Sequence, residues 1–592
     1  MSEAKLIPPL GYRILIDIQG VQGPFNDRGV ARTVAELSMA LIRIGAPVAG
    51  LLLNPNLPAP PSWFPELCGH PLLVWATAEN IRRLQAQGPT VCIVPSPMEG
   101  SEPVDGVWPP FLAHTPFVPL IHDAIPYEDP VAYDIRHADR RLHTTRPLWL
   151  ESASHVLATT TFAAEQWQRL VDPLPDGISV IGMGVSDFYR PSPDRAATRV
   201  QLQADLPGIS KPFVLYVGGD DERKNVDGAI RAWAAVATDV RASYQFVIAC
   251  SAKPDVRAKW ESIGTQAGLP PDELIVTGFV SEATLRALYQ TAELHFFASL
   301  SEGFGMPIVE AIACGCPVIS SNTTSMPEVV GWEPGLFDPT DTEAMSSLVT
   351  KALTDDAYRT QLQAACQASL GRHSWDAAAH RIVHVLAANV PAPTPRTGPK
   401  RLAVIGPIAA SETAHAAMRV LLDELRAVNP VLEVDLFDDQ PGTIDAAHYP
   451  LAAYGRTLSP GSYDERLYVL PNSPGNDAVY KAARSHPGTV WLVDGTLSTL
   501  LPTLLGPTKM HAHLARWYGS RTPSAIRHAD VVTSELLASH KLLATAEIAA
   551  MSQRILVADA LTAAKVGVDL GPWRDAIIDV VSADAFPRLR RS

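Results

Sequence analysis

Two glutamates eight residues apart, Glu302 and Glu310, flank a glycine turn in the segment SEGFGMPIVEAIACGCPVIS (301–320). Pro307 suits the first turn of a helix, and Gly315 suits the position just past its end. A glycine turn that opens a helix leaves backbone N–H groups available to an anionic phosphate. Glu302 would then face a reacting group from the loop, while Glu310 would accept hydrogen bonds from hydroxyl groups. Taken alone, either acid is better explained as complementing the helix dipole.

Short apolar runs separated by helical stretches predict the elements that position these residues. One group of runs lies at 13–18, 91–95, 117–123, 155–160 and 178–184, and a second at 213–219, 244–250, 273–279, 293–299 and 316–321. Continuous apolar strands that alternate with helices indicate parallel sheets covered on both faces. We therefore predict an α/β chain with Rossmann-like lobes at 1–188 and 189–390, a linker at 391–400 and a third Rossmann-like domain at 401–592.

The composition excludes several classes of protein. The 592 residues are too many for one core, and a net charge of −14 argues against a nucleic-acid partner. The six cysteines lie in apolar or helical surroundings, which predicts buried thiols in a reducing compartment. The opening residues show no signal-peptide pattern, and no apolar run approaches the roughly 20 residues of a membrane span. We therefore expect a soluble, cytoplasmic protein.

The segment around the two glutamates resembles the Glu-x7-Glu signature of the retaining glycosyltransferases of family 4, which have the GT-B fold. VLYVGGDDERKNVDGAIRAW (214–233) resembles the first strand and basic loop of that family's donor lobe, and LIVTGFVSEATLRALYQTAELHFFAS (274–299) resembles its next two strands. VPLIHDAIPYEDP (118–130) resembles the His-Asp segment of the acceptor lobe. The resemblance covers roughly residues 13–390 and implies two facing Rossmann-like lobes with the active site between them.

The resemblance also implies a role for each matched residue. Glu302 would contact the transferred sugar near its anomeric carbon, and Glu310 would bind the ribose hydroxyls of the nucleotide. Arg223 and Lys224 would neutralise the departing diphosphate, as a metal-free site requires. Backbone amides would hold the donor at Phe304, Gly305 and Met306. The sequence departs from part of the family at Gly219, where those members have an arginine, so the phosphate that each basic residue contacts stays open.

Three further residues belong to the predicted donor site. His122 follows the run VPLI at the carboxyl end of a strand, where α/β sheets bind ligands, and a His in this place contacts the donor sugar in the resembled family. Gly29 resembles the glycine loop that approaches the donor from the acceptor lobe. Asn322 would line the donor pocket, although a simple turn explains it equally well. Asp123 is expected to hold a loop, and the alternative for His122 is a core histidine.

A basic segment, DIRHADRRLHTTR (134–146), lies in the acceptor lobe. Its arginines could meet a lipid-linked pyrophosphate or an anionic membrane face, whereas Asp134 and Asp139 favour a solvated helix face. The Cys314-Gly-Cys316 pair has no second ligand pair nearby and leads into a buried strand. We therefore expect no metal and no cofactor, the nucleotide-sugar being a substrate.

Three alternatives compete with the transferase interpretation. A dinucleotide oxidoreductase should show Gly-x-Gly-x-x-Gly after its first strand, but the glycines after 13–18 fall at 20, 23 and 29. A metal-dependent GT-A transferase needs an Asp-x-Asp motif, which the sequence lacks. A non-catalytic sugar-binding or scaffolding protein on a transferase fold is opposed by the intact set of charged residues.

Residues 401–592 resemble a degenerate acceptor lobe of a second transferase. Three segments resemble it in order. Residues 401–425 repeat the strand-loop-helix opening at 13–45, and residues 463–501 resemble an acceptor-lobe stretch. Residues 526–543 are similar to 152–170. Val493 precedes Asp494 where the family has a His, and no Glu-x7-Glu segment follows. We therefore predict a catalytically silent domain that docks a partner enzyme, dimerises or shields the first unit.

The sequence as a whole predicts a metal-independent, retaining glycosyltransferase. It would move a sugar from a nucleotide diphosphate donor to a glycan or lipid-linked glycan acceptor in polysaccharide assembly. The acceptor lobe and the RKN segment look most like bacterial surface-polysaccharide mannosyltransferases, which makes GDP-mannose the lead donor. The family has no well-placed protein nucleophile, so we expect front-face attack assisted by the leaving phosphate. Such an enzyme would work in the cytoplasm or peripherally at the inner membrane face.

Overall fold

The structure is a computed structural model. It describes residues 7–22, 29–54, 57–60, 66–76, 78–98, 115–128, 150, 153–171, 177–250, 252–393, 399–408, 412–439, 444–454, 463–485, 488–518, 521–546, 548, 552, 554–570 and 578–582. Three separate sheets form within these residues, and every strand pair in them is parallel. The predicted α/β class, with two Rossmann-like lobes in a GT-B arrangement and a third Rossmann-like domain, is confirmed.

The first lobe is built on a sheet of seven strands in its described part. The strands are β1 (Arg13–Asp17), β2 (Val48–Leu53), β3 (Leu73–Trp75), β4 (Thr90–Val94), β5 (Phe117–Ile121), β6 (Val156–Ala158) and β7 (Ile178–Val180), and their order is β3-β2-β1-β4-β5-β6-β7. The helices are α1 (Gly29–Arg43), α2 (Ala78–Gln85), α3 (Ile125–Glu128) and α4 (Thr161–Leu170). The apolar face of α1 packs with Ile14 and Ile16 on one side of the sheet.

The second lobe has a sheet of six strands among the described residues. They are β8 (Phe213–Val217), β9 (Gln245–Ala249), β10 (Leu274–Val276), β11 (Leu294–Phe297), β12 (Val318–Ser321) and β13 (Leu336–Phe337), in the order β10-β9-β8-β11-β12-β13. The helices are α5 (Arg195–Asp205), α6 (Val226–Ala235), α7 (Thr238–Arg241), α8 (Pro254–Gln266), α9 (Glu282–Thr291), α10 (Met306–Ala313), α11 (Met326–Val330), α12 (Thr342–Thr354), α13 (Asp356–Leu370) and α14 (Trp375–Asn389). β8 and β11 are neighbours, which brings the loops after them together.

The third sheet repeats the strand order of the first. Its described strands are β14 (Arg401–Ile405), β15 (Glu433–Phe437), β16 (Ala447–Tyr449), β17 (Glu465–Leu470), β18 (Thr489–Leu492), β19 (Arg554–Val557) and β20 (Ile578–Val580), in the order β16-β15-β14-β17-β18-β19-β20. The helices are α15 (Glu412–Val428), α16 (Asp477–Ser485), α17 (Leu500–Trp517), α18 (Ser524–Arg527), α19 (Ser534–Ser539) and α20 (Ala560–Leu570). Position by position, both sheets have the third strand at one edge and the seventh at the other.

The third domain shares a buried apolar cluster with the first lobe. Leu15 and Cys92, on the sheet face opposite α1, belong to the same cluster as Ile405 and Tyr468 of the third sheet. Side chains alternate between the two faces of a strand, so α1 covers one face of β1 and this cluster covers the other. The third domain is therefore joined to the first lobe by packing as well as by the chain.

The chain crosses between the two lobes in two adjacent places. It leaves the first lobe at 181–194 and returns at 371–374, so that α14 packs against α1 of the first lobe. The crossings touch each other: Val185 N–H donates to the His373 carbonyl at 3.2 Å, and a Cβ on Gly184 would lie 2.3 Å from the Trp375 nitrogen. The Tyr12 hydroxyl donates to the Leu386 carbonyl at 3.2 Å. The domain boundary at 390 stays a prediction, although α14 contacts the first lobe.

Some local expectations need correction. The strands expected at 117–123 and 178–184 are shorter, and they end at Ile121 and Val180. Cysteines other than Cys68 are buried as expected, whereas Cys68 is exposed in a turn. The basic segment 134–146 lies outside the described residues, as do residues 394–398 of the linker predicted at 391–400, so these predictions stay predictions.

Candidate active site

The charged residues of the second lobe meet because two neighbouring strands end side by side. β8 leads into a 3-10 turn at Glu222–Lys224, and β11 leads into the loop that opens α10. Parallel strands of an α/β sheet present their carboxyl ends, and the loops that follow them, at one edge. This edge therefore places Arg223 and Lys224 next to Glu302.

Glu302 is the buried centre of an ion cluster whose other members are partly exposed. Its Oε2 accepts from Arg223 Nη1 at 2.9 Å and its Oε1 accepts from Lys224 Nζ at 2.6 Å. Arg223 Nε also donates to Asp221 Oδ2 at 2.9 Å. Glu302 is only 6% exposed, and burial raises its pKa, but the charges of Lys224 and Arg223 outweigh burial and hold that pKa below its usual value. Glu302 is therefore an anion that fixes both cations.

Backbone contacts hold the basic turn against the loop before α10. The Arg223 carbonyl accepts from the Leu300 amide at 2.7 Å and from Ser299 Oγ at 3.0 Å. Asn225 has a φ of 55°, and its Nδ2 donates to the carbonyls of Ala298 and Pro339. These bonds give the cations little freedom to move relative to Glu302.

The N-terminus of α10 lies at the same edge. Gly305 precedes the helix with a φ of 90°, a conformation that glycine adopts without strain, and Met306 begins the helix. Phe304 is buried with its ring edge-on to His373, with ring centroids 5.6 Å apart. The backbone amides of Phe304, Gly305 and Met306, which were predicted to hold the donor, thus lie at the start of a helix, where the helix dipole favours an anion.

Glu310 lies one turn further along α10 and is buried. Its Oε2 accepts from the Tyr289 hydroxyl at 3.0 Å. Burial raises the pKa of Glu310 above its usual value, against the lowering effect of the hydrogen bond from Tyr289 and of the nearby Arg32. Arg32, from α1 of the first lobe, donates to the Tyr189 hydroxyl at 3.3 Å and forms an ion pair with Glu282. The Glu310 site is thus built by both lobes.

The first lobe contributes His122 and Asp123 after β5. His122 Nε2 lies 3.0 Å from the Pro95 carbonyl, which fixes Nε2 as the N–H donor, and burial lowers the pKa of the ring, so the imidazole is neutral. Asp123 Oδ1 accepts from the Ile125 amide at 3.2 Å, which holds the loop. Asp123 also faces the second lobe: a Cβ on Gly303 would lie 2.3 Å from its Oδ2.

A second contact between the lobes lies beside the contact of Asp123 with Gly303. Thr160 Oγ1 donates to the Gly303 carbonyl at 2.9 Å, and the Thr161 amide donates to the Glu328 carboxylate at 2.9 and 3.1 Å. Thr160 also caps α4 by accepting from the Ala163 amide. The run expected as a strand at 155–160 ends at Ala158, and Thr160 instead starts the next helix and contacts the loop before α10.

Two predicted donor residues lie apart from the ion cluster. Gly29 begins α1, is exposed, and has open space where a Cβ would stand, while the rest of its loop at 23–28 lies outside the described residues. Asn322 is exposed after β12, and its amide donates to the Phe337 carbonyl at 2.8 Å. Their roles stay predictions. The part of the chain that is described contains no cluster of metal-ligating side chains and no helix long and apolar enough to cross a bilayer.

Residues 204–368 match the family model described as Glycosyl transferases group 1. The serotype-specific mannosyltransferase WbdA of Escherichia coli is 28% identical over 400 residues, which cover 62% of this chain and 47% of that protein. The O-antigen chain mannosyltransferase B of Escherichia coli is 30% identical over 244 residues, covering 41% of this chain and 61% of that protein. The chain thus spans between 47% and 61% of the length of these two curated relatives. Anabaena HepE, solved with UDP and glucose, is 17% identical with a TM-score of 0.49 over 64% of this chain and 100% of that one.

Proposed function

Because this chain carries a glycosyl transferases group 1 domain at 204–368, we propose that it is a retaining, metal-independent glycosyltransferase. It moves a sugar from a nucleotide diphosphate donor to a glycan or lipid-linked glycan acceptor in polysaccharide assembly. The observation that carries the proposal is the ion cluster that the buried Glu302 forms with Arg223 and Lys224 beside the start of α10.

The cluster is suited to a departing diphosphate. When the bond between the anomeric carbon and the phosphate oxygen breaks, its electron pair stays on the phosphate. Arg223, Lys224 and the amides at the start of α10 stabilise that charge without a metal, because they are already fixed in place before the reaction. The acceptor hydroxyl oxygen attacks the anomeric carbon from the side on which the phosphate leaves, and its proton passes to a phosphate oxygen. Configuration is therefore retained.

The remaining site residues orient the donor. Glu310 accepts hydrogen bonds from the ribose hydroxyls, in the pocket where it now accepts from Tyr289. Glu302 lies beside the anomeric carbon. The neutral His122 has Nδ1 as a hydrogen-bond acceptor for a sugar hydroxyl, because Nε2 donates to Pro95.

The similarity to two mannosyltransferases supports mannose as the transferred sugar and GDP-mannose as the first donor to test. Their names also support a product in surface polysaccharide. We propose that such an enzyme works in the cytoplasm or peripherally at the inner membrane face. Selectivity for the nucleotide base of the donor and for the acceptor depends on the shape of the pocket, so both are to be identified by assay.

The third domain is proposed to be catalytically silent and to dock a partner protein or a second copy. At the carboxyl edge of its sheet, Asp494 Oδ2 accepts from the Asn472 amide at 2.7 Å, and Asn472 Oδ1 accepts from the Thr499 and Leu500 amides. These groups form hydrogen bonds with one another at the sheet edge that corresponds to the position of His122 and Asp123 in the first lobe.

A nucleotide-sugar panel tests the proposal. Purified full chain is incubated with GDP-mannose, UDP-glucose and related donors, and released nucleotide is measured with and without EDTA. The anomeric configuration of any product is read by NMR. We expect turnover with one donor that resists EDTA, and a product that retains the anomeric configuration of the donor. Glu302→Gln serves as the matched control and should be inactive. An inverted product, or equal turnover by Glu302→Gln, would contradict the mechanism.

A further inference from the structure

We propose that Asp123 takes up one proton from solvent when a nucleotide-sugar enters the cleft, and that it works there as a neutral carboxyl group. The inference rests on the proposed donor class. It concerns a residue for which the sequence suggested only a loop-holding role.

The position of Asp123 joins it to the ion cluster of the other lobe. Its Oδ2 lies against Gly303, the residue that follows Glu302, so closely that no side chain fits on Gly303. Among the described residues, the charged or titratable groups that act on it include Arg223, His122 and Glu302. Asp123 is therefore an acceptor-lobe carboxylate inside the donor-lobe charge cluster.

The charges of this cluster do not balance. Among the described side chains, the carboxylates of Asp123, Asp221 and Glu302 surround the cations Arg223 and Lys224, which leaves one net negative charge. The diphosphate of a nucleotide-sugar adds two more negative charges at neutral pH. Like charges crowded in a partly water-excluded site disfavour ionisation, so one carboxylate is driven to bind a proton.

Asp123 is the carboxylate that binds this proton most readily. Glu302 is held as an anion by two direct cation contacts, at 2.9 and 2.6 Å, and Asp221 by Arg223 Nε at 2.9 Å. The hydrogen bond described for the Asp123 carboxylate comes instead from the neutral Ile125 amide. Burial raises the pKa of Asp123, against the lowering effect of Arg223, whereas the pKa of Glu302 is lowered. His122 competes less well, because burial lowers its pKa.

Protonation changes what the group can do. A carboxylate only accepts hydrogen bonds and repels the diphosphate, whereas a protonated carboxyl group also donates one. The pKa of Asp123 is then higher in the complex than in the free protein. Donor affinity is consequently fully present below the free-protein pKa, and it is lost as pH rises towards the pKa of the complex.

The test is calorimetry of GDP-mannose binding to the full chain. Titrations between about pH 5.5 and 8.5, in buffers that differ in ionisation enthalpy, count the protons taken up, because the buffer supplies them. We expect uptake approaching one proton in part of this range, where the dissociation constant rises by up to about tenfold per pH unit. The diphosphate of GDP-mannose itself does not titrate there.

Two variants assign the proton. Asp123→Asn keeps an oxygen for the Ile125 amide and mimics the neutral form, so uptake should fall close to zero and binding at high pH should be at least as tight as in the wild type. Glu128→Gln is the control, since Glu128 lies on α3 and pairs with Arg169 and Gln166. It should keep the uptake.

The outcomes separate the two proposals. Binding with less than about 0.2 proton taken up at every pH, or unchanged uptake in Asp123→Asn, overturns the assignment to Asp123 and leaves the proposed function standing. Failure of GDP-mannose to bind at any pH overturns the donor assignment, and the Asp123 proposal falls with it.

Discussion

Gly303→Ala should block the approach of the two lobes while leaving each lobe folded. The φ of Gly303 lies outside the left-handed region, so alanine can adopt its backbone conformation. The added methyl group would stand 2.3 Å from Asp123 Oδ2 and 2.8 Å from its Cγ. Both contacts involve the opposite lobe, so relief comes from separating the lobes.

The magnitude follows from these distances. An unstrained contact of this kind needs about 3.5 Å, so the lobes must retreat by roughly 1 Å. Overpacking of this size costs about 1–3 kcal/mol, and the strained hydrogen bond from Thr160 adds about 0.5–1.5 kcal/mol. A displacement of about 1 Å in a reacting geometry can lower the rate by roughly 10²-fold. We expect kcat/KM to fall by about 10- to 100-fold.

The assay is the initial rate of nucleotide release over a range of donor concentrations, with the thermal unfolding of each variant as a check on folding. Gly219→Ala is the matched control: it lies in the other loop of the donor lobe, and nothing stands within 4 Å of its added methyl group. It should keep near-wild-type activity. If Gly303→Ala worked within about threefold of the wild type at unchanged stability, the lobes would not meet at Gly303 during turnover, and the reasoning would be refuted.

Three further predictions concern the proposed site and the third domain. Glu302→Gln should lower kcat by about 10²-fold or more, because two fixed cations lose their anion. Glu310→Gln should mainly raise the KM for the donor. If steady-state kinetics gave wild-type constants for these variants, both assignments would be wrong. Dialysis against EDTA should leave turnover unchanged, whereas loss of turnover with rescue by Mg²⁺ or Mn²⁺ would contradict a metal-free site. Asp494→Asn in the third domain should leave transfer within about twofold of the wild type, and a large loss in the same assay would give that domain a catalytic part.

The strand pattern was predictable because parallel strands are buried on both faces and therefore appear as continuous apolar runs. β2 was missed although it is an apolar run of six residues, and β3 was missed since it is only three residues long and ends in the exposed Trp75. β13 has two residues, too few for any periodicity to show. The third domain was predicted from echoes in sequence, and its sheet repeats the order of the first. The buried cluster that joins it to the first lobe links residues nearly 400 positions apart, which no local pattern contains.

The sequence predicted the members of the site better than their contacts. Arg223, Lys224 and Glu302 each follow a strand, which placed them at one edge, but their ion pairing depends on β8 lying next to β11. That adjacency is a property of topology, and it is invisible in either segment alone. Arg32 carried no signal at all, because its partners Tyr189 and Glu282 come from other parts of the chain.

The paired crossings at Gly184 and Trp375 limit how the lobes can move. Because the two crossing segments pack against each other, they link the lobes at one place, and sliding of one lobe past the other would disrupt this contact. Phe304 rests on His373, within the second crossing, and this contact ties the donor loop to the crossings. The lobes therefore meet at a high effective concentration. A ligand that binds between them has less motion to restrict than it would have if one flexible tether joined the lobes. Most of the entropy of assembling the cleft is lost during folding, before any substrate arrives.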